Sequence, residues 1–313
     1  MTRALPTGSV GGPIDASQGA QADVAPPPLR LGRRRLYARR FARNRPAVVG
    51  MAIFVFLGAY AVLGGLFVPW NWSDQDFLAL TQPPSGSHWF GTNQGGNDTF
   101  AQSVHGLQRS LVIALSVSLM TIAISAIVGA GAAYVGGRVE RWTLALIHFL
   151  LVVPSFLILA LVSNRVGGDW RVLIPLLTIF GWMFTARVIW SVSTSLRERD
   201  YVLLAEFMGV PGWRIVLRHI VPHLGALLVI NFTLGVVATV LSETSLSFLG
   251  FGVKTPDVSL GSLLADGSQT LTSAPWLFAF PAGLLVLLTV SVTLIGDGLR
   301  DALDPTSTAG GRG

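Results

Sequence analysis

The amino-acid sequence predicts an all-α integral membrane protein with six transmembrane helices, and three observations lead there. Apolar residues make up 51% and charged residues only 12% of the 313-residue chain, whereas soluble chains carry about 25% charged residues. Mean hydropathy is +0.60. Six apolar stretches of membrane-crossing length recur, and basic residues alternate in density between the segments that join them. Such a chain lacks the polar side chains to cover the water-facing surface of a soluble fold this long. Cysteine is absent, which excludes a disulfide-rich secreted scaffold.

Residues 1–30 are rich in Gly, Pro, Ala and Ser without apolar periodicity, so they read as a disordered tail. Residues 31–46 interleave Arg33, Arg34, Arg35, Arg39, Arg40, Arg43 and Arg45 with Leu36, Tyr37 and Phe41. That pattern suits a basic amphipathic entry helix on an anionic membrane face. The apolar stretches follow at 47–69, 111–134, 142–163, 172–193, 224–245 and 276–297. At 1.5 Å per residue, each spans the roughly 30 Å hydrocarbon core. Gly58, Gly64, Gly65, Gly129 and Gly131 in the first two suit close helix–helix approach in lipid. The chain thus divides into the tail, the entry segment, a first helix with its outer loop over 47–106, five helices over 107–298, and a C-terminal tail over 299–313.

Lysine and arginine orient the spans. The segment before the first span, residues 135–141, residues 194–223 and the stretch after Gly298 together hold 17 of the 22 basic residues. The alternate loops hold Arg109, Arg165, Arg171 and Lys254, and Arg187 lies within the fourth span. This asymmetry places both termini in the cytosol. It also accounts for a pI near 10.7 without nucleic acid as a partner. The outer segment 70–110 carries Trp70, Trp72, Trp89 and Phe90, which read as aromatics at the membrane interface. The inner loop 194–223 has helical spacing broken by Gly209, Pro211 and Gly212, the pattern of a compact helix–turn–helix.

No covalent or nucleotide chemistry is written in the chain. The phosphate-binding loop Gly-x4-Gly-Lys-Ser/Thr is absent, and the only lysine, Lys254, follows Val253. Neither His-Glu-x-x-His nor Gly-x-Ser-x-Gly occurs. His219 and His223 are four apart, but Pro222 interrupts that turn and no third metal ligand is near. If this chain works with ATP, it must borrow that energy through contact with another protein, because it has no nucleotide-binding residues of its own. The inner loop offers that contact. Tyr201, Leu204, Phe207, Met208 and Val210 form an apolar surface, ringed by Arg197, Arg199, Arg214 and Arg218. Gly209 permits a left-handed turn, Pro211 suits the first turn of the next helix, and Pro222 is expected to end it.

Within this loop, Ala205, Gly209 and Pro222 match the Glu-Ala-Ala, Gly, Ile-x-Leu-Pro pattern of permease subunits of ABC importers. Leu203, Leu204, His219 and Val221 depart from it. The segments FARNRPAVVG at 41–50, HWFGTNQGGNDTF at 88–100, SETSLSFLGFGV at 242–253 and GDGLRDALDP at 296–305 resemble the C-type permease subunit of dipeptide and oligopeptide importers. The resemblance implies a type I importer permease fold in a prokaryotic cell membrane. It implies a second homologous permease subunit, two ATPase subunits or a fused pair, and an external substrate-binding protein. No cofactor is expected on this chain, with ATP and Mg on the ATPases. Peptides are the expected cargo, and nickel, haem and other small solutes are the alternatives within related systems.

Four polar residues inside the spans are candidates for the path or for ties between helices. Arg187, Asn231 and Asp297 fall in the cytoplasmic third, where ionised groups normally face a partner or a watery cavity. Arg187 paired with Asp297 would orient the fourth and sixth spans; a gate, or snorkelling to the interface, are the other readings. Glu243 lies near the outer end of the fifth span. A self-sufficient secondary transporter or channel is the rival class, but no inverted repeat or interrupted helix is evident.

Overall fold

The computed structural model describes residues 33–165 and 167–303. Helices make up its architecture, and extended pairing among the described residues is confined to isolated bridges, Gln75 with Asn97 and Thr92 with Asp98. The tail read at 1–30 lies outside the described residues. α1 (Arg33–Arg43) leads through Asn44 into α2 (Arg45–Leu63). Asn44 caps α2 by accepting from Ala47 N at 3.2 Å, and Pro46 sits in the first turn, where no intrahelical donor is needed.

α3 (Thr99–Val135) begins at another cap, Asp98, which accepts from Ala101 N at 2.7 Å. The helix thus starts well before the apolar stretch 111–134, and the expected division at 106–107 falls inside it. Its first turns cover the 67–98 segment: Phe100, Ala101 and Val104 pack with Val68, Trp70, Trp72 and Phe90. Of the aromatics expected at the lipid interface, Trp70, Trp72 and Phe90 are half-buried against this end of α3. Trp72 stacks on His105 at 4.2 Å and Phe90 on Phe280 at 3.9 Å, while Trp89 stays 46% exposed.

The single third span expected at 142–163 is instead two helices, α4 (Gly137–Val152) and α5 (Ser155–Arg165), bent by 74°. Pro154 is the cause. It cannot donate to the preceding turn, and it holds Val153 extended at ψ 129°. The expectation of uninterrupted helices is corrected here. The break lies at Val153 and Pro154, between Val152 and Ser155, and holds no charged side chain.

The chain continues through α6 (Trp170–Arg197), α7 (Asp200–Phe207), α8 (Gly212–Ile215), a π-helical turn (Val216–Ile220) and α9 (Val221–His223). α10 (Gly225–Phe248), α11 (Leu260–Ser268) and α12 (Trp276–Leu303) complete it. α3 and α6 pack side by side in parallel. Ser125 Oγ donates to Trp182 O at 2.8 Å, and further along Arg197 Nη1 donates to Ala133 O at 3.3 Å. Between these bonds a Cβ on Gly129 would sit 2.5 Å from Ala186 O, so only glycine allows the approach. Gly64 also meets a neighbour, Val104, whereas Gly58, Gly65 and Gly131 meet none. Because residue numbers rise together along α3 and α6, the chain between them must travel back the full length. The bent pair makes that return and counts as one interrupted crossing. With the five continuous apolar helices, the crossings number six.

α2, α3, α10, α11 and α12 share a core that includes Leu57, Leu107, Val236, Leu260 and Leu288. α12 runs on through the expected tail start to Leu303, because Ala302 is buried and Asp301 accepts from Asn44 Nδ2 at 2.9 Å. This bond sets the start of α2 and the end of α12 at one end of the bundle, together with α7. The 67–98 segment and α11 lie at the other.

Candidate coupling surface and transmembrane groove

Between α6 and α10 the chain forms a compact cap at the α7 end. Gly209 has φ +74°, the left-handed value, so α7 ends there and Pro211 caps α8 with φ −62°. The expected contact surface separates into two faces. Leu204, Phe207 and Met208 are 60%, 86% and 76% exposed, while Ala205 is buried. Tyr201 and Val210 turn inward against Val202, Ile215 and Ile220. Tyr201 stacks on His223 at 4.6 Å, so this ring belongs to the cap's interior, contrary to the sequence expectation. Trp213, which that expectation omitted, is 62% exposed with Arg214 over its ring at 5.1 Å. Arg199 precedes α7 as its N-cap residue without a side-chain capping bond. The single signal that marked Trp213 was a large apolar residue beyond the spans.

Pro222 does not end a helix. It sits in the first turn of α9, directly after the π-helical turn in which Val221 N reaches back to Val216 O. The wider turn accommodates a residue with no N–H, so the chain stays helical into α10. His223 Nδ1 lies against His219 O, and among the described residues no three His, Cys, Asp or Glu side chains group as metal ligands.

In the membrane region, α3, α6 and α10 enclose a groove of about 290 Å³. Ser118, Thr121, Thr185, Asn231, Thr239 and Ser242 supply its polar lining. Asn231 donates to Leu227 O at 2.9 Å, Ser118 to Phe232 O at 2.6 Å, and Thr239 to Gly235 O at 2.8 Å. Thr121 Oγ1 is buried with no partner. Hydroxyls that back-bond to their own or neighbouring helices leave lone pairs for water or solute without adding charge. The four-residue spacing of Asn231, Gly235 and Thr239 was the readable sign of this face.

The expected Arg187–Asp297 tie is not present. Both residues are exposed and no ion pair joins them. α6 takes α3 as its main neighbour and α12 takes α2, which keeps the two charges on separate pairs of helices. Glu243, in contrast, ties two elements. Only 2% exposed, it accepts from Ser247 Oγ at 2.8 Å and from Ser259 Oγ at 2.6 Å, joining α10 to the N-cap of α11. Its Oε2 has no partner. At the same end, Asp257 accepts from His105 Nε2 at 2.7 Å and Arg109 Nε at 3.1 Å. Burial raises the Asp257 carboxyl, but these bonds and the Arg109 charge outweigh it and hold the group below the ordinary carboxylate value. Sequence spacing could not find this cluster, because its members lie on α3 and on the segment before α11.

Residues 123–308 match the family described as binding-protein-dependent transport system inner membrane component. Residues 33–84 match the N-terminal TM domain of oligopeptide transport permease C. The chain is 46% identical over 285 residues to the oligopeptide transport system permease protein OppC of Mycobacterium tuberculosis, a match covering 90% of this chain and 97% of that protein. It is 33% identical to the Bacillus subtilis protein of the same description, with 85% and 87% covered. It is 34% identical to the dipeptide transport system permease protein DppC of Bacillus subtilis, with 85% and 84% covered. These matches take in α1 to α12, including the cap and the groove, and the chain belongs to the family of binding-protein-dependent transport system inner membrane components.

Proposed function

We propose that this chain is a non-catalytic permease subunit of an ATP-driven importer, forming half of a transmembrane path for peptides. The observation that carries the reading is the apolar surface of Leu204, Phe207 and Met208, held beyond the spans by the turn at Gly209. An exposed apolar patch on a short helix suits a groove on a partner protein. That partner is a cytosolic ATPase, present as two subunits or a fused pair, and ATP and Mg bind there. The α7 end therefore faces the cytosol, as the basic residues of the inner segments indicate.

The groove between α3, α6 and α10 opens on one side, so a second homologous permease completes the path. A solute handed over by an external binding protein enters from the α11 end. Closure of the ATPase pair moves α7, and the cap transmits that motion to α6 and α10, which flank it in sequence. The peptide assignment follows the substrates named in the descriptions of the relatives. The test is co-expression with a second permease and two ATPases, followed by reconstitution with a binding protein. ATP-dependent uptake of Ala-Ala-Ala is the expected result. Uptake by this chain alone, without ATP, would make it a secondary transporter and overturn the proposal.

A further inference from the structure

A second cavity, of about 170 Å³, lies at the α11 end, away from the coupling cap and the membrane groove. Asn93, Gln94, Thr99, Gln102, Asp266 and Gln269 form its polar wall, and Leu263 and Leu277 an apolar one of similar extent. Asp266 is its single ionisable group; neither Lys, Arg nor His lines it, and no cation lies within ion-pair distance of Asp266 among the described residues. Thr99 is 2% exposed, yet its Oγ1 has no hydrogen-bond partner. Gly267 and Gln269 bring the C-terminal end of α11 to the wall, the end where carbonyls favour a cation. The N-terminal end of α3, which would favour an anion, is already occupied by the Asp98 carboxylate. Its neighbours push the Asp266 carboxyl above the ordinary carboxylate value by desolvation, although the residue is exposed to solvent. A bound cation would relieve that cost.

We infer that this cavity receives the α-ammonium group of a peptide, with Asp266 as its counter-ion and Thr99 Oγ1 as a neutral acceptor. An ammonium carries three donors and no acceptor. The Asp266 carboxylate, the unpartnered Thr99 hydroxyl and the amide oxygens of Gln94 and Gln269 answer them, since the amide oxygens of Asn93 and Gln102 already accept from neighbours. The volume suits a single terminal residue, below the roughly 300–1,000 Å³ of sites that enclose a whole drug-sized ligand. This site rests on the peptide reading above, for it would hold the leading end of a substrate at the mouth of the path.

Saturation-transfer NMR on the full chain in lipid nanodiscs tests it with three probes: Ala-Ala-Ala-amide, its N-acetylated form, and N-acetyl-lysine amide. The free amine should bind about tenfold more tightly than the acetylated peptide, the scale of one charge-assisted hydrogen bond. Asp266→Asn should erase that difference. Thermal unfolding of this variant should be unchanged, since Asp266 is exposed and in no ion pair among the described residues. Asp169→Asn, which removes a carboxylate at the same end yet keeps a good N-cap on α6, should leave binding intact. Equal binding of free and acetylated peptides, or unimpaired binding to the Asp266→Asn chain, would overturn the site. Preference for N-acetyl-lysine amide would overturn it too, and would make the cavity a seat for a protein lysine. Asp266-dependent binding by a chain whose assembled complex imports no peptide would instead count against the peptide reading alone.

Discussion

At the residue scale, Gly209 and Asp257 each make a sharp prediction. Gly209 has φ +74° and open space where a Cβ would point, so the cost of substitution there is conformational. Gly209→Val places a β-branched residue in the left-handed region, at about 1–2 kcal/mol. The cap should tilt, and ATP-dependent uptake should fall while insertion in the membrane persists; uptake and membrane content of the same cells measure both. Asp257 has a depressed folded-state pKa, so its stabilising contribution is present above the ordinary carboxylate value and disappears as pH falls through the folded one. Asp257→Asn should lower the unfolding temperature at pH 7, and in thermal scans wild type and variant should converge as pH falls below the folded-state value of Asp257. Arg187 and Asp297 form no pair, so neutral replacements at both should add in their effects on uptake. The sequence marked both charges as unusual in a membrane but held no information on which helices would be neighbours.

At the element scale, α7 shows how much of a site a pattern can carry. The apolar residues beyond the spans, the Gly209 break and Pro211 located the cap, because turn chemistry is local. Which apolar residues point outward depends on how α7 docks on α6, α8 and the π-helical turn, and that turned Tyr201 and Val210 inward. Leu204→Asp and Met208→Asp should therefore abolish recovery of the ATPase with the permease, for a charge placed in an apolar contact is costly. Tyr201→Phe, on the inward face, should retain it. Affinity purification through a tag on this chain measures both, and full ATPase recovery with the Asp variants would return α7 to the role of a membrane-surface linker. α4 and α5 teach the complementary lesson. Pro154 could not be told from the prolines within α6 and α12, Pro175 and Pro281, which leave those helices continuous, and so the sequence reading took the third span as unbroken.

At the scale of the whole molecule, six crossings return the chain to the side on which α2 began, and Asn44 meets Asp301 there. The direction of insertion then follows from the basic asymmetry alone. The chain contains no cysteine, so single introduced cysteines report cleanly. Ser85→Cys, on the exposed 67–98 segment, should react with a membrane-impermeant maleimide in intact cells, and Glu206→Cys, on α7, only after lysis. The reverse pattern would invert the path and remove the ATPase from α7.

The sequence by itself determined the membrane class, the number of crossings and the place of the cap between α6 and α10. Hydrophobic length, arginine distribution and glycine–proline turns are each properties of a contiguous segment, and lipid enforces them regardless of neighbours. Only the tertiary structure decided that α3 and α6 run in parallel, that the third crossing is bent, and that Glu243 holds α11 through Ser259. It alone assembled the groove, the Asp257 cluster and the cavity around Asp266. Each of these joins residues far apart in the chain, and their contact depends on which helix faces pack together, a choice that apolar helices of similar composition leave open until the whole bundle closes.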